Sequence, residues 1–299
     1  MTLLAVGVCF HIYAYVLNDV IDLPLARTEA SRQRDPLVSG SITPAYALLL
    51  AVCQVPLALG LTMLFDAGSS AYLILAGGFA LMGGYNLWGK RCPLPPLTDA
   101  IQGLGWGTLA LYTPFAVGTK PNTLTWLVVA YATVYIVFIN GIHGALRDLA
   151  NDYARLARTT AVFFGARALP DGRVQMPPAM VVYAWVVLGL LVALNAALVF
   201  RAGLEYGRLS WAMTGAVVAV FVVIAVLLQP KVLHPQGPHS DMAWRLQMYL
   251  LMLCLPVEFA ARADRAPAIV MVSLIALSLA LFRTTAAVAR WGALTLWSR

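Results

Sequence analysis

The 299-residue chain is 61% hydrophobic and only 11% charged, with a mean hydropathy of +0.79. About a quarter of a soluble domain is charged, so this composition excludes an ordinary soluble protein and implies a polytopic membrane protein. The net charge of +7 does not point to nucleic acid, because the cations follow membrane topology.

Apolar runs of spanning length fall at 1–17, 43–65, 69–89, 98–118, 122–146, 178–200, 209–229, 243–261 and 266–284. Each reaches the roughly 17–25 residues needed to cross a bilayer core, the first only just. The short alternating segments of a β-barrel are absent. The expected fold is all-α, a polytopic transmembrane bundle of about nine helices forming one domain over 1–299. The first run lacks the basic flank and small-residue cleavage site of a signal peptide. It reads as a short or truncated N-terminal helix. The four cysteines show no ligand or disulfide spacing and read as small buried hydrophobes.

The connections divide the cations unevenly. Arg27, Arg32, Arg34, Lys90, Arg91, Arg147, Arg155, Arg158, Arg167, Arg173, Lys231, Arg245, Arg283, Arg290 and Arg299 fall on one side, against five on the other. By the positive-inside rule the richer side is cytoplasmic. The expectation is an integral protein of the cell membrane, in contact with lipid and with no nucleic-acid partner.

Two acidic clusters end apolar runs on that basic side: Asn18-Asp19-Val20-Ile21-Asp22 and Asp148-Leu149-Ala150-Asn151-Asp152. Asp19 and Asp22 stand at i and i+3, Asp148 and Asp152 at i and i+4, so each pair shares a helix face. A solvated helix end explains one such pair. Two on the same side, each followed by basic residues, fit a divalent cation with an anion beyond it. Mg²⁺ takes oxygen ligands, keeps several waters, and is held by one or two carboxylates plus substrate phosphates. Arg27, Arg32, Arg34, Lys90, Arg91, Arg147 and Arg158 supply phosphate-binding chemistry. The repeated order of span, acidic pair and basic loop hints at an internal duplication.

The chain resembles the UbiA superfamily of intramembrane prenyltransferases. Asn18, Asp19 and Asp22 with Pro36-Leu37-Val38-Ser39-Gly40 match its first motif, and Asp148, Asp152, Thr160, Ala161 and Gly165 its second. Tyr85, Lys90 and Arg91 match the Tyr and Lys-Arg of an intervening loop. The resemblance implies a bundle around a central cavity open to lipid. Mg²⁺ would be held by Asn18, Asp19, Asp22, Asp148 and Asp152, the four acids being the catalytic residues. A prenyl diphosphate would be bound by Arg27, Arg34, Tyr85, Lys90, Arg91, Arg147 and Arg158. Its ionisation gives an allylic cation, for which aromatic faces are candidates: Tyr13, Tyr85, Trp106, Tyr112, Tyr131, Tyr135 and Phe138. Asn140 and His143 are expected to orient an aromatic or other small acceptor, move a proton, or bond a neighbouring helix.

The chain departs from the family pattern in four respects. Ala26 replaces the third acid of the first motif, with Glu29 a candidate substitute. Asp35 replaces an Arg before Pro36, with Arg34 displaced by one. The family helix before the first motif helix is missing, and the run at 266–284 is additional. Three functions are compatible: prenyl transfer to an acceptor, cyclisation of the prenyl chain as in UbiA-type terpene cyclases, and cation-coupled transport. Transporter acids belong near mid-bilayer on broken helices, whereas these stand at helix ends.

Overall fold

The computed structural model describes residues 2–29, 32–65, 67–169, 173–206, 208–234 and 238–260, those at 202–206, 208–213, 238–241 and 258–260 by backbone alone. The run expected at 266–284 lies outside the described residues. Eight long helices are described: α1 (Thr2–Ile21), α2 (Pro44–Thr62), α3 (Ser69–Trp88), α4 (Pro95–Ala116), α5 (Thr123–Phe138), α6 (Pro178–Tyr206), α7 (Arg208–Leu233) and α8 (Pro238–Ala260). The fold is the expected all-α bundle. Its only described strands are the two-residue pair Arg167–Ala168 and Val174–Gln175.

Among the described residues five segments are long and apolar enough to cross a membrane: Thr2–Ile21, Pro44–Thr62, Thr123–Arg147, Pro178–Arg201 and Thr214–Leu233. Fewer qualify than the nine runs expected: α3 and α4 carry Asn86, Asp99, Gln102 and many glycines, α8 contributes only the shorter apolar stretch Met242–Val257, and the run at 266–284 lies outside the described residues. Helix starts follow local chemistry. The Thr43 hydroxyl accepts from the Tyr46 amide with Pro44 in the first turn. Asn122 and Thr125 form a capping box at α5.

Two separate cores divide the bundle. Phe10, Ala58, Leu75, Phe79, Met82 and Tyr112 bring together α1 to α4. Tyr131, Phe138, Met180, Leu188, Leu191, Ala225 and Leu251 bring together α5 to α8. Each half therefore begins with a helix that ends in an acidic cluster, in keeping with the repeated pattern of the sequence.

The halves meet along α4 and α5, where small residues let the backbones approach. A Cβ on Gly103 would collide with the carbonyl oxygen of Thr133, and one on Gly107 would lie 2.6 Å from the Thr133 hydroxyl. Gly105 faces Met82 instead, with 2.8 Å to its sulfur. Buried polar groups tie other helices together, as an apolar surround requires. Asn86 Nδ2 donates to the Ala14 carbonyl at 3.0 Å, and Tyr131 donates to the Leu251 carbonyl at 2.7 Å. His143 Nε2 meets Gln247 Oε1 at 2.8 Å, while Gln247 Nε2 donates to Gln229 Oε1 at 2.8 Å.

Substitution at the seam tests this packing. Gly103→Ala forces backbone apart and is expected to lower stability in detergent by about 1–3 kcal/mol. Gly77→Ala points into open space and should be neutral or stabilising by up to about 1 kcal/mol. Thermal unfolding of both variants checks the pair. Equal effects would contradict the close approach.

Candidate functional site

Both acidic clusters face one cavity of about 560 Å³ between the two halves. The α1 turn persists past its last residue, the Asp22 amide donating to the Asn18 carbonyl at 2.8 Å. Asn18, Asp19 and Asp22 therefore line the cavity together. Opposite, α5 runs through a π-helical turn, Ile139–Gly144, and a last turn, Ala145–Arg147, before breaking at Asp148 (φ −91°, ψ 2°). The Asp152 amide still donates to the Asp148 carbonyl at 2.9 Å, so both acids face the cavity. Irregular π turns are frequent at functional sites.

Three of the four acids meet a base. Arg32 donates to Asp19 at 2.9 Å and to Asp35 at 2.7 Å. Lys90 Nζ lies 2.9 Å from Asp22. Arg147 grips both oxygens of Asp148 at 2.7 Å and lies 5.6 Å from the Trp244 ring centre. The loops are also tied to one another. The Arg158 amide donates to the Lys90 carbonyl at 3.2 Å, and the Thr28 hydroxyl to Asn151 at 3.1 Å. Gly165, at φ +89°, closes the short helix Thr160–Phe163 in the left-handed region that glycine tolerates best.

Asp152 differs from the other three. It is buried, and its Oδ1 has no hydrogen-bond partner. Burial first, then the charges of Asp148, Asp22 and Glu29, push its carboxyl up to about 6 against the opposing pull of Lys90. A bare buried carboxylate oxygen beside further acids fits a hard cation. Asn18, Asp19, Asp22, Asp148 and Asp152 supply only oxygen donors on this cavity, the chemistry Mg²⁺ takes. Among the described residues no three His, Cys, Asp or Glu side chains converge closely enough to hold a metal alone. That matches the Mg²⁺ preference for few protein ligands completed by water and phosphate oxygens.

Of the residues singled out in the sequence, Asn18, Asp19, Asp22, Tyr85, Lys90, Asn140, Arg147, Asp148, Asp152 and Arg158 line the cavity. Five others do not. Arg27, Arg34 and Arg91 are exposed, turned to the outside of their loops. His143 is buried against Phe138 and Trp244 and bonds α8 through Gln247. Tyr135 is bound away from the cavity by donating to the Met248 carbonyl at 3.0 Å. Arg32, held by Asp35, stands where Arg34 was expected. Ala26 is buried, and Glu29 lines the cavity three residues on.

Sequence reasoning missed Asp99. It lines the cavity from the start of α4 and accepts a short hydrogen bond from Thr160. Its signal was available: a charged residue within an apolar run is a functional candidate by itself. Gln102, also unforeseen, contacts Asn140 across the cavity.

A family model described as the UbiA prenyltransferase family matches residues 1–251. No curated protein matches the chain. The fold is similar to the apo structure of a UbiA homolog from Aeropyrum pernix K1, with a TM-score of 0.61 and 18% identity over 87% of this chain and 86% of that one. Structures of a UbiA homolog from Archaeoglobus fulgidus bound to GPP and Mg²⁺, or to DMAPP and Mg²⁺, give TM-scores of 0.59 and 0.58 at 15% identity, again over 87% of this chain and 86% of that one.

The environment of Asp152 carries a stability consequence. Its folded value of about 6 lies above the ordinary carboxyl value of 3.8, so the folded state binds the proton more tightly, and its stability falls as pH rises between the two values. In chelator at pH 7.5, Asp152→Asn is therefore expected to melt higher than the parent. The advantage should shrink steadily as pH falls from about 6 towards 4. A melting series over that range checks it, and an advantage that does not vary with pH would contradict it.

Proposed function

The chain belongs to the UbiA prenyltransferase family, and we propose that it is a Mg²⁺-dependent intramembrane enzyme that ionises an isoprenoid diphosphate and transfers the prenyl group to a small acceptor. The observation that carries this reading is the meeting of two acidic pairs with Arg32, Lys90, Arg147 and Arg158 on one cavity at one end of an apolar bundle. Support also comes from the Archaeoglobus fulgidus homolog, which binds GPP or DMAPP with Mg²⁺.

In this reading Asn18, Asp19, Asp22, Asp148 and Asp152 hold the metal. Bound Mg²⁺ supplies Lewis-acid stabilisation of the charge that collects on the departing diphosphate. Arg32, Lys90 and Arg147 leave the acids they pair with and turn to phosphate oxygens, joined by Arg158. Guanidinium groups do this bidentately and lysine as a point charge. Once turned to the phosphate, these donors favour the ionised state over the ester because they sit where negative charge grows. The C1–O bond breaks and both electrons leave with the diphosphate. The prenyl tail lies deeper, among Met82, Trp106 and Met248, where exclusion of water protects the cation. The faces of Tyr85 and Trp106 stabilise it. The excess of cations on the motif side supports a cytoplasmic site in the cell membrane.

Cyclisation of the prenyl chain is the second reading, favoured by Ala26 in place of an acid. Transfer is preferred because Gln102 and Asn140 place polar groups beside the apolar chamber, which a purely hydrocarbon reaction does not need.

Membranes supplied with Mg²⁺ and geranyl, farnesyl or geranylgeranyl diphosphate test both readings. Asp19→Ala and Asp148→Ala are expected to cut diphosphate release by about 10²–10³-fold, whereas Arg34→Ala and Arg91→Ala stay within a few-fold of the parent. Release dependent on an added acceptor supports transfer, and cyclic hydrocarbon or alcohol without one supports cyclisation. Release unaffected by Asp19→Ala and Asp148→Ala would sink both.

A further inference from the structure

The cavity has three levels along α4. The charged rim lies at the helix start. Asp99 stands in the second turn, Gln102 about one turn farther in, and Trp106 about two turns beyond Asp99. The middle level is polar, with Asp99, Gln102, Asn140 and Thr159 all lining the cavity. It separates the diphosphate end from the apolar chamber. An allylic diphosphate spanning the cavity puts its reacting C1 next to the phosphate, so an acceptor that attacks C1 must lie at this level.

The middle level has an unusual charge. Asp19, Asp22 and Asp148 each have a basic partner. Asp99 is 7% exposed and forms no ion pair among the described residues. Among the described residues its one hydrogen bond comes from the Thr160 hydroxyl. A Cβ placed on Gly141 would lie 2.7 Å from Asp99 Oδ2 and 3.1 Å from the Tyr183 hydroxyl, so glycine leaves that corner open. The Tyr183 hydroxyl and the Thr159 hydroxyl are both buried without a hydrogen-bond partner. A carboxylate this buried is costly unless a cation or further donors reach it. The described side chains supply one donor, so the complement is a ligand's N–H or O–H.

We propose that Asp99 is the acceptor-selecting residue: with Gln102 and Asn140 it binds a neutral or cationic acceptor presenting hydroxyl or amine donors, and it rejects acceptors that carry a carboxylate at that position. The assignment rests on the prenyl-transfer reading above. Like charge disfavours an anionic acceptor here, and the desolvated site makes that exclusion stronger than it would be in water.

Three probes with one phenol and different para substituents test it: 4-hydroxybenzylamine, 4-hydroxybenzyl alcohol and 4-hydroxybenzoate. Each is titrated onto the full chain in lipid nanodiscs with Mg²⁺, with and without the unreactive analogue geranyl thiolodiphosphate, and binding to empty nanodiscs is subtracted. The amine and the alcohol are expected to bind at least about tenfold more tightly than the benzoate. Asp99→Asn should bring the three within about threefold, in protein that still binds the analogue, and Gln102→Glu, which adds a second acid to the same level, should widen the preference. The proposal is overturned if the benzoate binds as well as the amine, if none of the three binds, or if the preference survives Asp99→Asn. An analogue that fails to bind with Mg²⁺ sinks the prenyl-transfer reading instead, and the probe preference is then read without it.

Discussion

The pairing of acids with bases at one end of an apolar bundle is the constraint on which the site depends. Carboxylates at a membrane boundary need partners, and Arg32, Lys90 and Arg147 provide them for Asp19, Asp22 and Asp148. In the proposed reading a metal–diphosphate complex would resolve both sets of charges at once, the cation taking the acids and the phosphate taking the bases. Neither component alone does so, since metal alone leaves the displaced bases facing one another, and diphosphate alone leaves the acids bare.

Bundle architecture brings these groups together. Among the described residues two halves of four long helices, each with its own core, meet through glycines on α4, and the cavity lies at their seam. Because α1 and α5 open the two halves, their acidic ends arrive on the same side from opposite walls. The levels follow from helix geometry: charge where helices begin and end, polar groups one turn in, aromatic and aliphatic groups below. That order matches an amphiphilic substrate with a charged head and a hydrocarbon tail.

Much of this was legible in the sequence because membranes and phosphates impose strong local rules. Length and hydropathy gave the bundle, and the spacing of Asp19 with Asp22 and of Asp148 with Asp152 gave the shared faces. Side-chain direction in loops was less legible. Arg32 and Arg34 are alike in type and two residues apart, and only the contact between Arg32 and Asp35 settles which one turns inward. His143 and Tyr135 sit near the motifs in sequence, yet their bonds to Gln247 and Met248 depend on α8, more than a hundred residues away. Asp99 stands alone rather than in a pair, and a lone acid within an apolar run is the more unusual feature.

The central claim is that metal and diphosphate complete one another's site by freeing each other's partners. Coupling of this kind is reciprocal and measurable. Titrating Mg²⁺ into the full chain with and without geranyl thiolodiphosphate reads it directly. The account predicts that the analogue tightens Mg²⁺ binding by at least about tenfold, within the usual range of such coupling, and that Mg²⁺ tightens the analogue by the same factor. Equal Mg²⁺ affinity in the presence and absence of the analogue would contradict it.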